Sequence, residues 1–300
     1  MKVYLGIPRG FCAGVVRAID VVELALQRYQ HPVYVKHQIV HNPYVVKSLE
    51  DKGAITVEDV DEIPEGSTVV FSAHGSPPDD FIKADRRNLN VIDATCPLVT
   101  KVHNEAQKYA RDGRKLILVG HKGHQEVKGT MGQTVMRLVD DREGVDTPQW
   151  SADTPVTVLT QTTLSVDDTK RSIERIRERF SDVIVRNDLC YATTNRQAAV
   201  KQLSRLVDLV LVIGAENSSN CNRLRDVAQD NGVDAYLIND PDELDPTWLE
   251  GVENVGITSG ASTPESLVQA VIDALDPEEV KAIEGVDEDV TFVLPVELRE

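Results

Sequence analysis

The chain has 300 residues, with 32 Lys+Arg against 49 Asp+Glu for a formal net charge of −17, and 41% of its residues are apolar. That length suggests about two domains with sizeable cores, and one large domain or three small ones would fit as well, while the acid excess argues against a general binder of nucleic acid or anionic membrane, because neutralising phosphates needs a basic excess. Met1–Pro8 carries no export signal and no apolar run approaches the ~20 residues of a spanning helix, so a cytoplasmic protein with reduced cysteines is expected.

Short β-rich runs alternate with amphipathic segments from end to end, which is the pattern of an α/β fold. The predicted strands are Lys2–Ile7, Val33–Lys36, Thr68–Ser72, Asn90–Asp93, Lys115–Val119, Thr157–Thr160, Asp182–Val185, Leu209–Ile213, Asp234–Leu237 and Asn254–Thr258. Between them, helical spacing of apolar residues predicts helices over Gly14–Gln30, Val99–Asp112, Asp167–Phe180, Ala198–Val207, Cys221–Asn231 and Pro264–Leu275. The acidic end, Pro277–Glu300, reads as a tail packed on the body with a strand-like Thr291–Leu294.

Three of the four cysteines recur in one setting. Cys12, Cys96 and Cys190 each follow a strand or turn and open a helical segment, and a basic residue (Arg17, Lys101, Arg196) comes five or six positions later. The cysteines lie 84 and 94 positions apart, which predicts three similar α/β units, 1–96, 97–190 and 191–300. A thiolate at a helix N-terminus is stabilised by the dipole and by free N–H groups, so it suits a nucleophile or a soft metal ligand. Three converging thiolates would select zinc or an iron-sulfur cluster, and three ligands on a 4Fe-4S cluster leave one iron open for substrate chemistry. Buried, unligated cysteines are the plainer alternative.

A second recurring feature is a strand that ends in a loop rich in Gly, His, Ser or Asn, where parallel α/β sheets bind ligands. These loops hold His41, His74, His121, His124, Glu126, Thr162, Ser218, Ser219, Asn220 and Ser262. Histidines with Ser and Asn at helix starts suit an oxyanion or phosphate, although the same Ser and Asn residues are also ordinary helix caps. Glu126 is the carboxylate best placed among them to move a proton. The Gly129-Thr130-Met131-Gly132 run either permits close backbone approach or forms a turn.

Together these motifs resemble the 4-hydroxy-3-methylbut-2-enyl diphosphate reductase family, which catalyses the last step of the non-mevalonate isoprenoid pathway. The resemblance runs from Gly10-Phe11-Cys12-Ala13-Gly14 through Ala73-His74-Gly75, Asp93-Ala94-Thr95-Cys96-Pro97, Gly120–Glu126, Thr160–Ser165, Cys190–Gln197 and Asn217–Asn220 to Gly260-Ala261-Ser262. It implies three α/β domains in a trefoil around a 4Fe-4S cluster held by Cys12, Cys96 and Cys190. It further implies an allylic diphosphate bound by His41, His74, His124, Ser218, Ser219, Asn220 and Ser262. Glu126, with Thr162 in its proton path and His124 beside it, would protonate the departing hydroxyl. A reduced ferredoxin or flavodoxin would supply electrons, although a chain at −17 repels an acidic partner unless it carries a local basic patch. Two positions depart from the family pattern: Cys221, where a small polar residue is expected, and Gln125, where Pro is frequent. Two other readings stay open on the residues alone, a zinc hydrolase using His121, His124 and Glu126, and a non-catalytic iron-sulfur sensor.

Overall fold

The computed structural model describes residues 1–140, 142–143 and 147–299. In chain order the elements begin β1 (Lys2–Leu5), α1 (Ala13–Arg28), β2 (Val33–Lys36), α2 (Pro43–Glu50), β3 (Ala54–Val57), β4 (Thr68–Phe71), α3 (Pro78–Arg86) and β5 (Asn90–Asp93). They continue with α4 (Pro97–Arg111), β6 (Lys115–Val119), α5 (Gln125–Met131), β7 (Arg137–Val139), β8 (Val156–Thr160), α6 (Val166–Arg179) and β9 (Val183–Val185). The last are α7 (Tyr191–Leu203), β10 (Leu209–Ile213), α8 (Ser219–Asp230), β11 (Asp234–Ile238), β12 (Asn254–Ser259), α9 (Glu265–Leu275) and β13 (Glu279–Ala282). Among the described residues no helix is long and apolar enough to cross a membrane.

The chain divides into two compact units. One gathers Met1–Val15, His41–Val45 and Cys190–Thr291. It holds a parallel sheet in the order β11-β10-β12-β1-β13, with Leu5 opposite Ile257 and Leu211 opposite both Ile257 and Tyr236. The β10 run Leu-Val-Leu-Val-Ile is buried throughout, as a parallel strand covered on both faces must be. Leu211 and Ile213 pack toward α9 residues Val268, Val271 and Ile272, while Val210 and Val212 pack with Leu203, Leu224 and Val227 of α7 and α8.

The other unit gathers Val16–Val40, Val46–Leu189 and the chain from Phe292 onward. It holds two parallel sheets, β3-β2-β4-β5 and β7-β6-β8-β9. In the first, Val69 and Phe71 form a core with Val57, Val60 and Ile63, and Phe81 of α3 meets Phe71 edge to face. In the second, Ile117, Val119 and Val158 pack on Leu164, Ile176 and Phe180, and the opposite face takes Val102 and Ala106 of α4.

One strand order recurs in all three sheets. The first strand of each set lies inside, between the second at an edge and the third, and the fourth follows the third: β3-β2-β4-β5, β7-β6-β8-β9 and β11-β10-β12-β1. The predicted threefold α/β repetition is therefore present, with the N-terminal strand serving as the fourth strand of the last set.

The predicted strands are all found, within one or two residues at their ends. The tail differs: Thr291–Leu294 is not a strand, and the strand of that region is β13, which pairs with β1. The Val293 carbonyl accepts from Arg17 Nε at 2.7 Å instead of joining a ladder. Helix α7 starts at Tyr191 rather than at Ala198. Its first turns bury Thr193, Arg196 and Gln197, polar residues that hide the apolar spacing.

Candidate active site

The strand repeat explains where the candidate residues fall. In a doubly wound sheet, ligands bind beyond the carboxyl ends of strands where the order reverses, here between the first and third strand of each set. His41, His124 and Ser218 follow the first strands β2, β6 and β10, and His74, Thr162 and Ser262 follow the third strands β4, β8 and β12. The three recurring cysteines follow the fourth strands: Cys12 after β1, Cys96 after β5 and Cys190 after β9.

In the larger unit, Glu126 sits in the first turn of α5 and is buried. Its Oε1 accepts from the Thr162 backbone N–H at 2.6 Å, and its Oε2 accepts from the Thr162 hydroxyl at 2.9 Å. Burial pushes its carboxyl up to about 7; the Thr162 hydrogen bonds pull the other way, and the charge of Asp188 adds to the rise. His124 caps α5, with Nδ1 accepting from the Glu126 N–H at 3.2 Å, and its ring lies edge to face with His74 at 6.1 Å between centroids. His74 Nδ1 in turn lies 3.3 Å from the Ser72 hydroxyl. Gly129 permits this assembly: a Cβ there would stand 2.7 Å from the Gly75 carbonyl oxygen, so only glycine lets α5 lie against the His74 loop. The Gly-Thr-Met-Gly run is thus a close backbone approach.

In the smaller unit, Ser218 caps α8, Ser219 is its first residue and Asn220 follows in the same turn. Asn220 Oδ1 accepts from the Ala261 N–H at 3.0 Å, which ties the loop after β12 to α8. Its Nδ2 is buried with no acceptor among the described residues, a donor that an anion at this helix start would satisfy. The Ser262 hydroxyl donates to the His41 carbonyl at 3.0 Å. Cys221 is fully buried, its sulfur packed where Gly214 and Gly260 leave no room for a Cβ, and burial pushes its thiol up. It fills space between two loops.

Cys12, Cys96 and Cys190 are partly exposed and none is in a disulfide. Cys96 and Cys190 are the N-cap residues of α4 and α7, and Cys12 directly precedes α1. The Cys190 sulfur accepts from the Thr193 N–H at 3.3 Å. Tyr191, next to Cys190, accepts from the Ala13 N–H, next to Cys12, at 3.1 Å, and burial holds its hydroxyl protonated, up to about 12. Among the described residues no three His, Cys, Asp or Glu groups already form a metal cage. Each of the three thiols is partly exposed, heads a helix and follows the equivalent strand of a repeat, and a thiol in that setting has the chemistry of a soft-metal donor. His121 is buried, and its backbone N–H donates to Gln161 Oε1 at 2.9 Å.

Asp188, Tyr191 and Gln161 lie within the recurring motifs, but nothing in those motifs gives them a role. Their partners Lys101, Ala13 and His121 lie 87, 178 and 40 positions away, so no local pattern marks them.

The LytB protein family matches residues 3–276. The 4-hydroxy-3-methylbut-2-enyl diphosphate reductase 2 of Bradyrhizobium diazoefficiens is 53% identical, covering 99% of this chain and 99% of that protein. The corresponding reductase 1 of Rhodopseudomonas palustris is 54% identical, covering 98% and 99%. Among solved structures, the E-1-hydroxy-2-methyl-but-2-enyl-4-diphosphate reductase of Plasmodium falciparum is similar with a TM-score of 0.96 at 38% identity, covering 99% of this chain and 96% of that one.

Proposed function

The chain belongs to the LytB protein family, and from that premise we propose that it catalyses the reductive dehydroxylation of (E)-4-hydroxy-3-methylbut-2-enyl diphosphate to isopentenyl diphosphate and dimethylallyl diphosphate. This is the last step of the non-mevalonate isoprenoid pathway. The allylic C–O bond breaks, the oxygen leaves as water and a C–H bond forms, with two electrons and two protons consumed. When bound to Cys12, Cys96 and Cys190, a 4Fe-4S cluster supplies the electrons and an iron with an open position. A reduced ferredoxin or flavodoxin in the cytoplasm is the source of those electrons.

The chain's own residues bind the diphosphate and move protons. His41, His74 and His124 offer ring donors, and Ser218, Ser219, Asn220 and Ser262 offer hydroxyl, amide and helix-start N–H donors, matched to a multiply charged anion. With its carboxyl raised to about 7, Glu126 keeps a protonated fraction at neutral pH, and its Oε2 shares a hydrogen bond with the Thr162 hydroxyl, which passes a proton toward the departing oxygen. The single observation that carries this reading is a buried carboxyl held at about 7 by its surroundings and aligned on both oxygens by Thr162. Glu126→Gln keeps the shape and removes the proton. It should retain substrate binding and the iron-sulfur spectrum while turnover falls by roughly 10²–10⁴-fold; unchanged turnover contradicts the role.

A further inference from the structure

The three basic residues that trail the cysteines each reach the segment ahead of another cysteine. Arg17, five residues after Cys12 on α1, donates from Nη1 to the Ala94 and Thr95 carbonyls at 3.1 Å each, directly ahead of Cys96. Lys101, five residues after Cys96 on α4, pairs with Asp188 Oδ1 at 3.2 Å, two residues ahead of Cys190. Arg196, six residues after Cys190 on α7, donates from Nη2 to the Gly10 carbonyl at 2.7 Å, two residues ahead of Cys12. The order is cyclic: 12 to 96, 96 to 190 and 190 to 12.

The contacts are built ones. Arg196 is fully buried and also holds Glu288 at 3.0 Å and the Ala192 carbonyl at 3.0 Å. Arg17 is 8% exposed, and its third donor, Nε, takes the Val293 carbonyl. Asp93 and Cys96 are the charges that act on its guanidinium most favourably. The Lys101 side chain is 46% exposed, so water screens its pair, but the Asp188 side chain is fully buried and its other oxygen accepts from the Thr160 N–H at 3.4 Å. Arg17 and Arg196 thus hold the backbone just ahead of a thiol, and Lys101 holds the Asp188 side chain two residues ahead of one.

We propose that Arg17, Lys101 and Arg196 are positioning residues that set the loops of Cys96, Cys190 and Cys12 respectively, so that each cysteine helix orients the next cysteine of the cycle rather than its own. This rests on the reading that those cysteines hold a cluster.

The test treats the cluster-loaded chain with an iron chelator and a thiol-alkylating reagent together, then reads by peptide mass spectrometry which cysteine is modified first. Arg17→Gln should make Cys96 the first modified, Lys101→Met Cys190 and Arg196→Gln Cys12. Iron release should be about tenfold or more faster for the two arginine variants and less accelerated for the exposed lysine. Lys101→Arg should restore the native order, and Arg196→Lys serves if Arg196→Gln does not fold. Folded variants in which the cysteine on the altered helix reacts first, or all three equally, overturn the proposal. If the isolated chain carries no iron yet shows the crossed alkylation pattern, the positioning roles stand and the cluster reading falls.

Discussion

Glu126 is the residue at which burial and hydrogen bonding pull in opposite directions. Burial alone would hold the carboxyl neutral, and the two hydrogen bonds from Thr162 favour the charged form, leaving it at about 7. A proton donor of that kind loses its protonated fraction as pH rises through about 7, so turnover should decline on the alkaline side. Thr162→Val removes the side-chain hydrogen bond that favours the anion and leaves the backbone one. The alkaline decline should then move to higher pH in a pH–rate profile, along with a loss of turnover; a decline that stays in place would show that Glu126 does not set it. The same raised value gives a stability consequence with a definite sign. The folded carboxyl titrates above the unfolded one, so native stability falls as pH rises between about 4.5 and about 7, whereas Glu126→Gln has no such loss. Melting temperatures across that window should therefore shift in favour of the variant. The sequence exposes Glu126 as a carboxylate in a glycine- and histidine-rich loop, but its partner lies 36 positions away, so the raised value arises only from the folded packing.

At the scale of elements, α5 shows why short helices escape sequence reading while their function does not. It spans seven residues, less than the window in which apolar spacing becomes visible, and the same holds for α2 and α3 at eight and nine. Its glycine marks the contact instead. Gly129→Ala improves helix propensity by about 1 kcal/mol, but the added Cβ must push α5 away from the Gly75 carbonyl. The clash should win: a lower melting temperature and a higher KM for the diphosphate, since His74 and His124 would separate. A variant with native KM and raised melting temperature would mean the close approach is incidental. Cysteines at helix starts were legible because the thiols, glycines and prolines around them are local signals. The cross-links from Arg17, Lys101 and Arg196 were visible only as a spacing, since their partners sit at least 77 positions away.

On the whole chain, three sets of strands in one order follow from a recurring sequence unit, which the spacing of Cys12, Cys96 and Cys190 made readable. The placement of β1 beside β12 was not, because strand pairing between residues 2–5 and 254–257 leaves no local trace. Net charge also acts at this scale. At −17, approach of an acidic electron donor is opposed by long-range repulsion, so its reduction rate should rise as salt is added through the range where the Debye length falls to ~10 Å. A rate that falls with salt would instead indicate an attractive basic patch. The central claim, two-electron removal of an allylic hydroxyl by a three-cysteine cluster enzyme, is tested most directly in one anaerobic sample. Iron and acid-labile sulfide are counted, and the electrons consumed per product are measured with 4-hydroxy-3-methylbut-2-enyl diphosphate present. The expected result is about four irons per chain and two electrons per isopentenyl or dimethylallyl diphosphate formed; a chain that carries zinc instead, or that leaves the substrate unchanged under reductant, would contradict it.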